Sequence, residues 1–178
     1  MGQLCDLGTG PGDIPLRIAA LDQDWQVTAI DLSANMIELA SAAQKAQGLE
    51  DAPIQWLQAD LKSTGLPSGI FQVLISNSVL HHMPSLEDVS GFWDELKRLA
   101  SPGAIVLVRD MVRPNSETTI SRLFSELRGV PQVGLDHYRS SLNAAFTVEE
   151  VRDQLLKAHL PLKVGSIGDR YLEIYGQV

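Results

Sequence analysis

Asp6-Leu7-Gly8-Thr9-Gly10-Pro11-Gly12-Asp13 sets three glycines at alternate positions between two carboxylates. Glycine at such places suits a turn that needs unusual backbone dihedrals or lets a ligand approach the main chain closely. The order is G-x-G-x-G, whereas a dinucleotide fingerprint, G-x-G-x-x-G, sets its third glycine one place later, where this chain carries Asp13. A carboxylate there would repel a pyrophosphate. With Asp6 just before the first glycine, the stretch suits a ligand that carries positive charge and ammonium donors instead. Asp31 follows a little beyond roughly 20 residues later, the region where nucleotide-binding folds place a carboxylate on ribose hydroxyls. A histidine pair, His81-His82, lies within Ser78-Val79-Leu80-His81-His82-Met83-Pro84. Adjacent histidines seldom present both rings to one ion, and no cysteine or carboxylate stands at ligand spacing nearby, so no metal site is expected.

These residues need elements to carry them. A strand over 3–7 runs into the glycine turn, and 14–21 repeats Ile14, Ile18 and Leu21 as the stripe of a helix on a sheet, with Pro15 in its first turn. A strand over 25–31 ends on Asp31. Ser33 caps a helix over 33–47 that turns Met36, Ile37, Leu39 and Ala40 inward and stops at Gly48. Strands follow over 54–58 and 71–77; the second, FQVLISN, is apolar enough for a central strand covered on both faces. A helix over 85–100 uses Leu86, Val89, Phe92, Trp93, Leu96 and Leu99, ends at Ser101-Pro102-Gly103, and leads to a strand over 104–108. Arg109, Asp110 and Arg113 emerge at that strand's end, to face a ligand or to pair internally.

A helix over 115–129 carries Ile120, Leu123, Phe124 and Leu127, and 130–144 reads as a loop with Pro131, Gly134, His137, Tyr138 and Arg139. Thr147-Val148-Glu149-Glu150 is a capping box opening a helix with Val151, Leu155 and Leu156 inward. Strands over 162–167 and 171–175 join through Gly168-Asp169 as a tight hairpin. Strands alternating with helices predict a three-layer α/β/α sandwich. Ligands of such sheets lie at the carboxyl ends of the parallel strands.

At 178 residues the chain fits one domain with a full core, and it has neither a long apolar span nor a signal-peptide layout, so a soluble cytoplasmic protein is expected. A formal charge of −8 without a lysine/arginine run argues against nucleic acid or anionic membrane as partner and favours a small-molecule acceptor. The single cysteine, Cys5, excludes a disulfide within the chain and reads as a buried, inert thiol.

DLGTGPGD resembles motif I of the class I S-adenosylmethionine (SAM) dependent methyltransferases. Asp31, the Ala59-Asp60-Leu61 segment, the LHH sequence of motif IV and LKRLASPGAIVLVRD around the fifth strand match the family in order. The resemblance spans 1–178 and implies a Rossmann-like, seven-stranded, mostly parallel sheet ending in a C-terminal antiparallel hairpin. It implies SAM as cofactor and S-adenosylhomocysteine as product. Asp6 and the Gly8, Thr9, Gly10 and Gly12 backbone would hold the methionine portion, with Asn77 near that end. Asp31 would grip both hydroxyls of the ribose, and Leu32 beside it would belong to the cofactor site. Asp60 would accept from the adenine amino group beside Leu61, and Met36 would pack on the adenine or belong to the core.

Where the acceptor must lose a proton, His81 is the first candidate for a general base, with His82 and His137 behind it; a purely structural histidine pair is the alternative. An insertion at about 111–145 would form part of the acceptor cover. Relatives usually carry one or two helices before the first strand; here that strand lies near the start, which predicts a more open cofactor site, or a homo-oligomer or partner covering it. The implied function is methyl transfer to a small molecule by in-line displacement. A non-catalytic SAM-binding or scaffold protein is the alternative, and Asp13 disfavours a nicotinamide-dependent dehydrogenase.

Overall fold

The computed structural model describes residues 1–22 and 24–178. The strands are β1 (Gly2–Leu7), β2 (Trp25–Asp31), β3 (Ile54–Gln58), β4 (Phe71–Asn77), β5 (Ala100–Met111), β6 (Lys163–Ile167) and β7 (Tyr171–Gln177). The helices are α1 (Asp13–Leu21), α2 (Ala34–Ala46), α3 (Leu86–Leu99), α4 (Glu117–Ser125), α5 (Gln132–Ala144) and α6 (Val148–Lys157), with one 3-10 turn at Leu80–His82. One sheet runs β3-β2-β1-β4-β5-β7-β6, parallel from β3 to β5, with β7 antiparallel to both its neighbours. β1 has β2 on one side and β4 on the other. That reversal opens a crevice at the carboxyl ends of β1 and β4.

Side chains alternate across a strand, so the register sorts the sheet into two faces. Cys5, Leu7, Ile30, Leu74, Val106, Val108, Leu172 and Ile174 form one core with Phe92, Trp93 and Leu96 of α3 and Val151 and Leu155 of α6. On the opposite face Leu4, Val27 and Ala29 are buried with Leu16 and Ala19 of α1, and α2 packs along β2 and β3. This second layer stops short. Residues 104–110 alternate buried and exposed, leaving Ile105 52% and Leu107 42% exposed beside Tyr175. Val73 and Ile75 of β4 are only half-buried on that face, so β4 is fully covered on one face, where the apolar run predicted two.

Other expectations shift for local reasons. Entering from a buried Gly12, α1 turns Pro15, Leu16 and Ala19 to the sheet; Leu21 is exposed, and the stripe of Ile14, Ile18 and Leu21 is not the buried face. Leu39 and Leu156 are exposed as well, while Gln44 and Gln154 are buried on those helices. The expected loop 130–144 is the helix α5: Pro131 occupies its N-cap position, Gly134 lies in its first turn, and Leu142 is buried. Proline is tolerated at a helix start, and glycine weakens a helix without breaking it. The hairpin pairs Ile167 with Tyr171, so its connection has three residues, Gly168, Asp169 and Arg170. Ser33 and the Thr147/Glu150 box cap their helices as the sequence indicates. Among the described residues no helix is long and apolar enough to cross a membrane.

Candidate functional site

β1 delivers Asp6 into the crevice and then turns sharply. Gly8 has φ of 80°, and a Cβ there would stand 2.2 Å from Val79 Cγ2, so the position excludes a side chain twice over. Gly10 has φ of 53° with open space where its Cβ would be. Gly12 is the N-cap of α1, which starts with Asp13. A cavity of about 690 Å³ opens over this turn, a size usual for small-molecule sites.

The carboxylates of the cavity are held in distinct ways. Asp6 is 1% exposed and accepts a hydrogen bond from Thr9 Oγ1 at 2.7 Å. Burial raises its pKa to about 6; the Thr9 bond opposes the rise and the nearby Asp31 charge adds to it. Asp31 ties two segments together, Oδ2 accepting from Gly10 N at 2.8 Å and Oδ1 from Ser33 N at 2.9 Å. Each oxygen keeps a lone pair for a ligand hydroxyl. Asp60 accepts from Lys62 N at 2.9 Å. Lys62 Nζ reaches Asp88 of α3 at 2.5 Å and Asp60 at 3.8 Å, so its charge is already engaged. The lining therefore presents an excess of negative charge.

Of the sequence-indicated residues, Asp6, Gly8, Thr9, Gly10, Asp31, Leu32, Met36, Asp60, Leu61, Asn77 and His82 line this one cavity. Gly12 is buried outside the lining, its Cα side facing Trp56 and Ala40. His81 lies behind the wall, its Nδ1 2.6 Å from Asp110 Oδ1, and only His82 of the pair lines the space. His82 has its pKa lowered, by partial burial first and by neighbouring His81 second. His137 is an exposed residue of α5 outside the cavity lining, although α5 packs on the 3-10 turn. Arg113 pairs with Glu150 at 2.5 Å, and Arg109 lies over the Tyr171 ring at 4.3 Å, so Asp110, Arg109 and Arg113 all have partners within the chain. Cys5 is fully buried and its thiol pKa is pushed up by burial, as befits an inert thiol.

Sequence reading missed Asp13's neighbour Ile14, Lys62, Val79, Met83 and Asp88 as lining residues. Val79 and Met83 flank the LHH stretch and could have been found there. Lys62 and Asp88 meet across 26 residues, and nothing local signals that contact. Among the described residues no cluster of His, Cys, Asp or Glu could hold a metal ion.

The donor set suits SAM. A buried carboxylate beside a glycine turn, a bridging carboxylate at the end of β2 and acid-rich walls fit an ammonium, a ribose and a sulfonium in one site. The sequence pattern of a methyltransferase domain matches residues 5–108. An uncharacterized methyltransferase of Mycobacterium bovis is 31% identical over 125 residues, 70% of this chain and 59% of its own length. The ajmaline N-methyltransferase of Rauvolfia serpentina is 29% identical over 167 residues, 93% of this chain and 54% of its own. The chain thus spans between half and three fifths of the length of these relatives. In fold it is similar to a putative S-adenosyl-L-methionine-dependent methyltransferase of Methanococcus maripaludis, with a TM-score of 0.75 at 20% identity over 99% of this chain and 78% of that one. This chain belongs to the class I SAM-dependent methyltransferases.

Proposed function

We propose that the chain transfers a methyl group from SAM to a small-molecule acceptor by in-line displacement, and that it does so in the cytoplasm. The observation that carries this reading is the acid-lined cavity at the carboxyl ends of β1 and β4, built on the glycine turn and bridged by Asp31. When bound, SAM supplies a methyl group already activated on a sulfonium. The protein's task is then to orient the nucleophile and exclude water, effects that supply on the order of 7 kcal/mol or more in favourable cases.

Asp6 with the Gly8, Thr9, Gly10 and Gly12 backbone holds the methionine portion, and Asn77 lies toward that end. Asp31 and Leu32 take the ribose, while Met36, Asp60 and Leu61 form the adenine slot. His82 is the histidine placed to meet an acceptor, and its lowered pKa favours the neutral ring that can take a proton. His81 acts from behind it. The segment 111–145, folded as α4 and α5, forms part of the acceptor cover, a reading supported by the packing of α5 on the 3-10 turn.

A small acceptor is supported by the −8 charge, which opposes nucleic acid, and by the relative named for ajmaline. Incubation with methyl-labelled SAM and a panel of amines, phenols, thiols and quinones, beside peptides and RNA, tests it. Label should appear in a small acceptor. Label confined to peptide or RNA contradicts the acceptor class, and SAM binding without any transfer favours a non-catalytic binding protein.

A further inference from the structure

Asp110 closes the buried face of β5, is 2% exposed, and takes no part in the cofactor contacts described above. Its carboxylate nevertheless accepts four hydrogen bonds. Oδ2 accepts from Val79 N at 2.7 Å and Leu80 N at 2.6 Å; Oδ1 accepts from His81 Nδ1 and Met111 N, both at 2.6 Å. Four donors fill the lone-pair sites of a carboxylate. Since a carboxylate only accepts, His81 carries a proton on Nδ1. Three of the four donors belong to residues 79–81, where the chain leaves β4 and begins to wall the cavity.

That segment needs holding. Ser78 has φ of 61°, a left-handed backbone uncommon for a residue with a Cβ, and its N–H donates to Arg109 O at 2.8 Å. β5 therefore grips the turn on both sides of the strained residue. In front of the grip, Val79 Cγ2 fills the space that a Gly8 side chain would need. The His81 ring backs the His82 ring with centroids 4.0 Å apart, and His82 faces the cavity.

We propose that Asp110 and His81 are a positioning pair, holding Val79 against the glycine turn and His82 toward the cavity from behind the wall. They set the methionine end of the cofactor site and leave the adenosine end, built on β2 and β3, to itself. The inference rests on the reading that SAM occupies this cavity with its methionine portion at Gly8.

Calorimetry with S-adenosylhomocysteine and with adenosine, on the wild-type chain and on Asp110→Asn, His81→Leu and His81→Asn, tests the pair. Thermal midpoints check folding, and nitrogen NMR of the His81 ring reads its protonated nitrogen. The Nδ1-protonated signature is expected. Asp110→Asn and His81→Leu should weaken S-adenosylhomocysteine about tenfold while adenosine stays within about twofold. His81→Asn, whose amide nitrogen overlays Nδ1, should recover most of the loss. Equal loss for both ligands, no loss for either, equal effects of the two His81 variants, or an Nε2-protonated ring overturns the pair. Should Asp110→Asn fail to fold, the His81 variants decide alone. Failure of the underlying cofactor reading looks different, because the wild-type chain then binds neither ligand.

Discussion

Gly8→Ala attacks the contact that joins the glycine turn to the wall of the cavity. The new methyl faces two costs: the left-handed backbone of Gly8, about 1–2 kcal/mol for a residue with a Cβ, and its overlap with Val79, about 1–3 kcal/mol by the usual penalty for overpacking. Gly10 shares the left-handed backbone but has nothing within 4 Å of where a methyl would stand, so Gly10→Ala should show the first cost only. Urea unfolding should thus place Gly8→Ala about 2–5 kcal/mol below wild type and Gly10→Ala about 1–2 below. Val79→Ala alone removes two methyl groups from a half-buried site, costing about 1 kcal/mol. In the double variant Gly8→Ala/Val79→Ala the 2.2 Å clash with Cγ2 is removed and only a close 3.3 Å approach of the two Cβ atoms remains, so the two losses should fall short of additivity by about 1–2 kcal/mol. Equal losses for Gly8→Ala and Gly10→Ala, or strict additivity in the double variant, would refute the claim that Val79 seats on the turn.

Three other outcomes follow from the same geometry. Asp6, raised to about 6, binds its proton more tightly in the native state than in the unfolded chain. Its contribution to unliganded stability is therefore full below the unfolded carboxylate range and lost as pH rises through about 6. A ligand ammonium prefers the ionised form, so calorimetric affinity for S-adenosylhomocysteine should rise between about pH 5 and 7.5, and Asp6→Asn should flatten that rise; a flat wild-type profile contradicts the assignment. Leu107→Lys, on the uncovered face of β5, should change unfolding free energy by about 0.5 kcal/mol or less, whereas Leu74→Ala in the core should cost about 2–5. Similar costs for the two would show that the exposed face is covered in solution. His137→Ala should leave S-adenosylhomocysteine affinity unaltered in calorimetry, since that side chain lies outside the cavity lining; weakened binding would bring α5 into the cofactor site.

Much of this molecule is written in local signals. Short strand-forming runs between turns placed β2, β3 and β4, although β2 and β4 bury part of their side chains and the edge strand β3 buries none. Ser33 and the Thr147/Glu150 pair announced two helix starts through chemistry confined to four residues. Asp6 and Asp31 were legible for a related reason, since parallel connections bring successive strand ends to one edge, whereas Asp60 was marked only by the resemblance to the methyltransferases.

What stayed hidden depends on contacts between distant segments. Periodicity gave α1 a stripe but chose the wrong face, since Leu21 and Leu16 are equally apolar and only the entry from Gly12 decides which meets the sheet. Pro131 and Gly134 read as loop punctuation until the packing of Leu142 shows a helix. Nothing in the letters His81-His82 says which ring faces the cavity. That choice is made by Asp110, 29 residues away, and by a 3-10 turn that points neighbouring side chains in different directions. Likewise the apolar alternation of β5 predicts strand but cannot tell that its odd residues lack a covering layer.

The central claim is that the glycine turn and Asp31 form one SAM site. Titration of S-adenosylhomocysteine and of NAD into wild-type and Asp31→Ala chains by calorimetry tests it most directly. Saturable binding of S-adenosylhomocysteine, none of NAD, and a loss of about ten- to a hundredfold on Asp31→Ala are expected, the size of hydrogen bonds to a charged group. Binding of NAD in place of S-adenosylhomocysteine, or an affinity indifferent to Asp31, would contradict it.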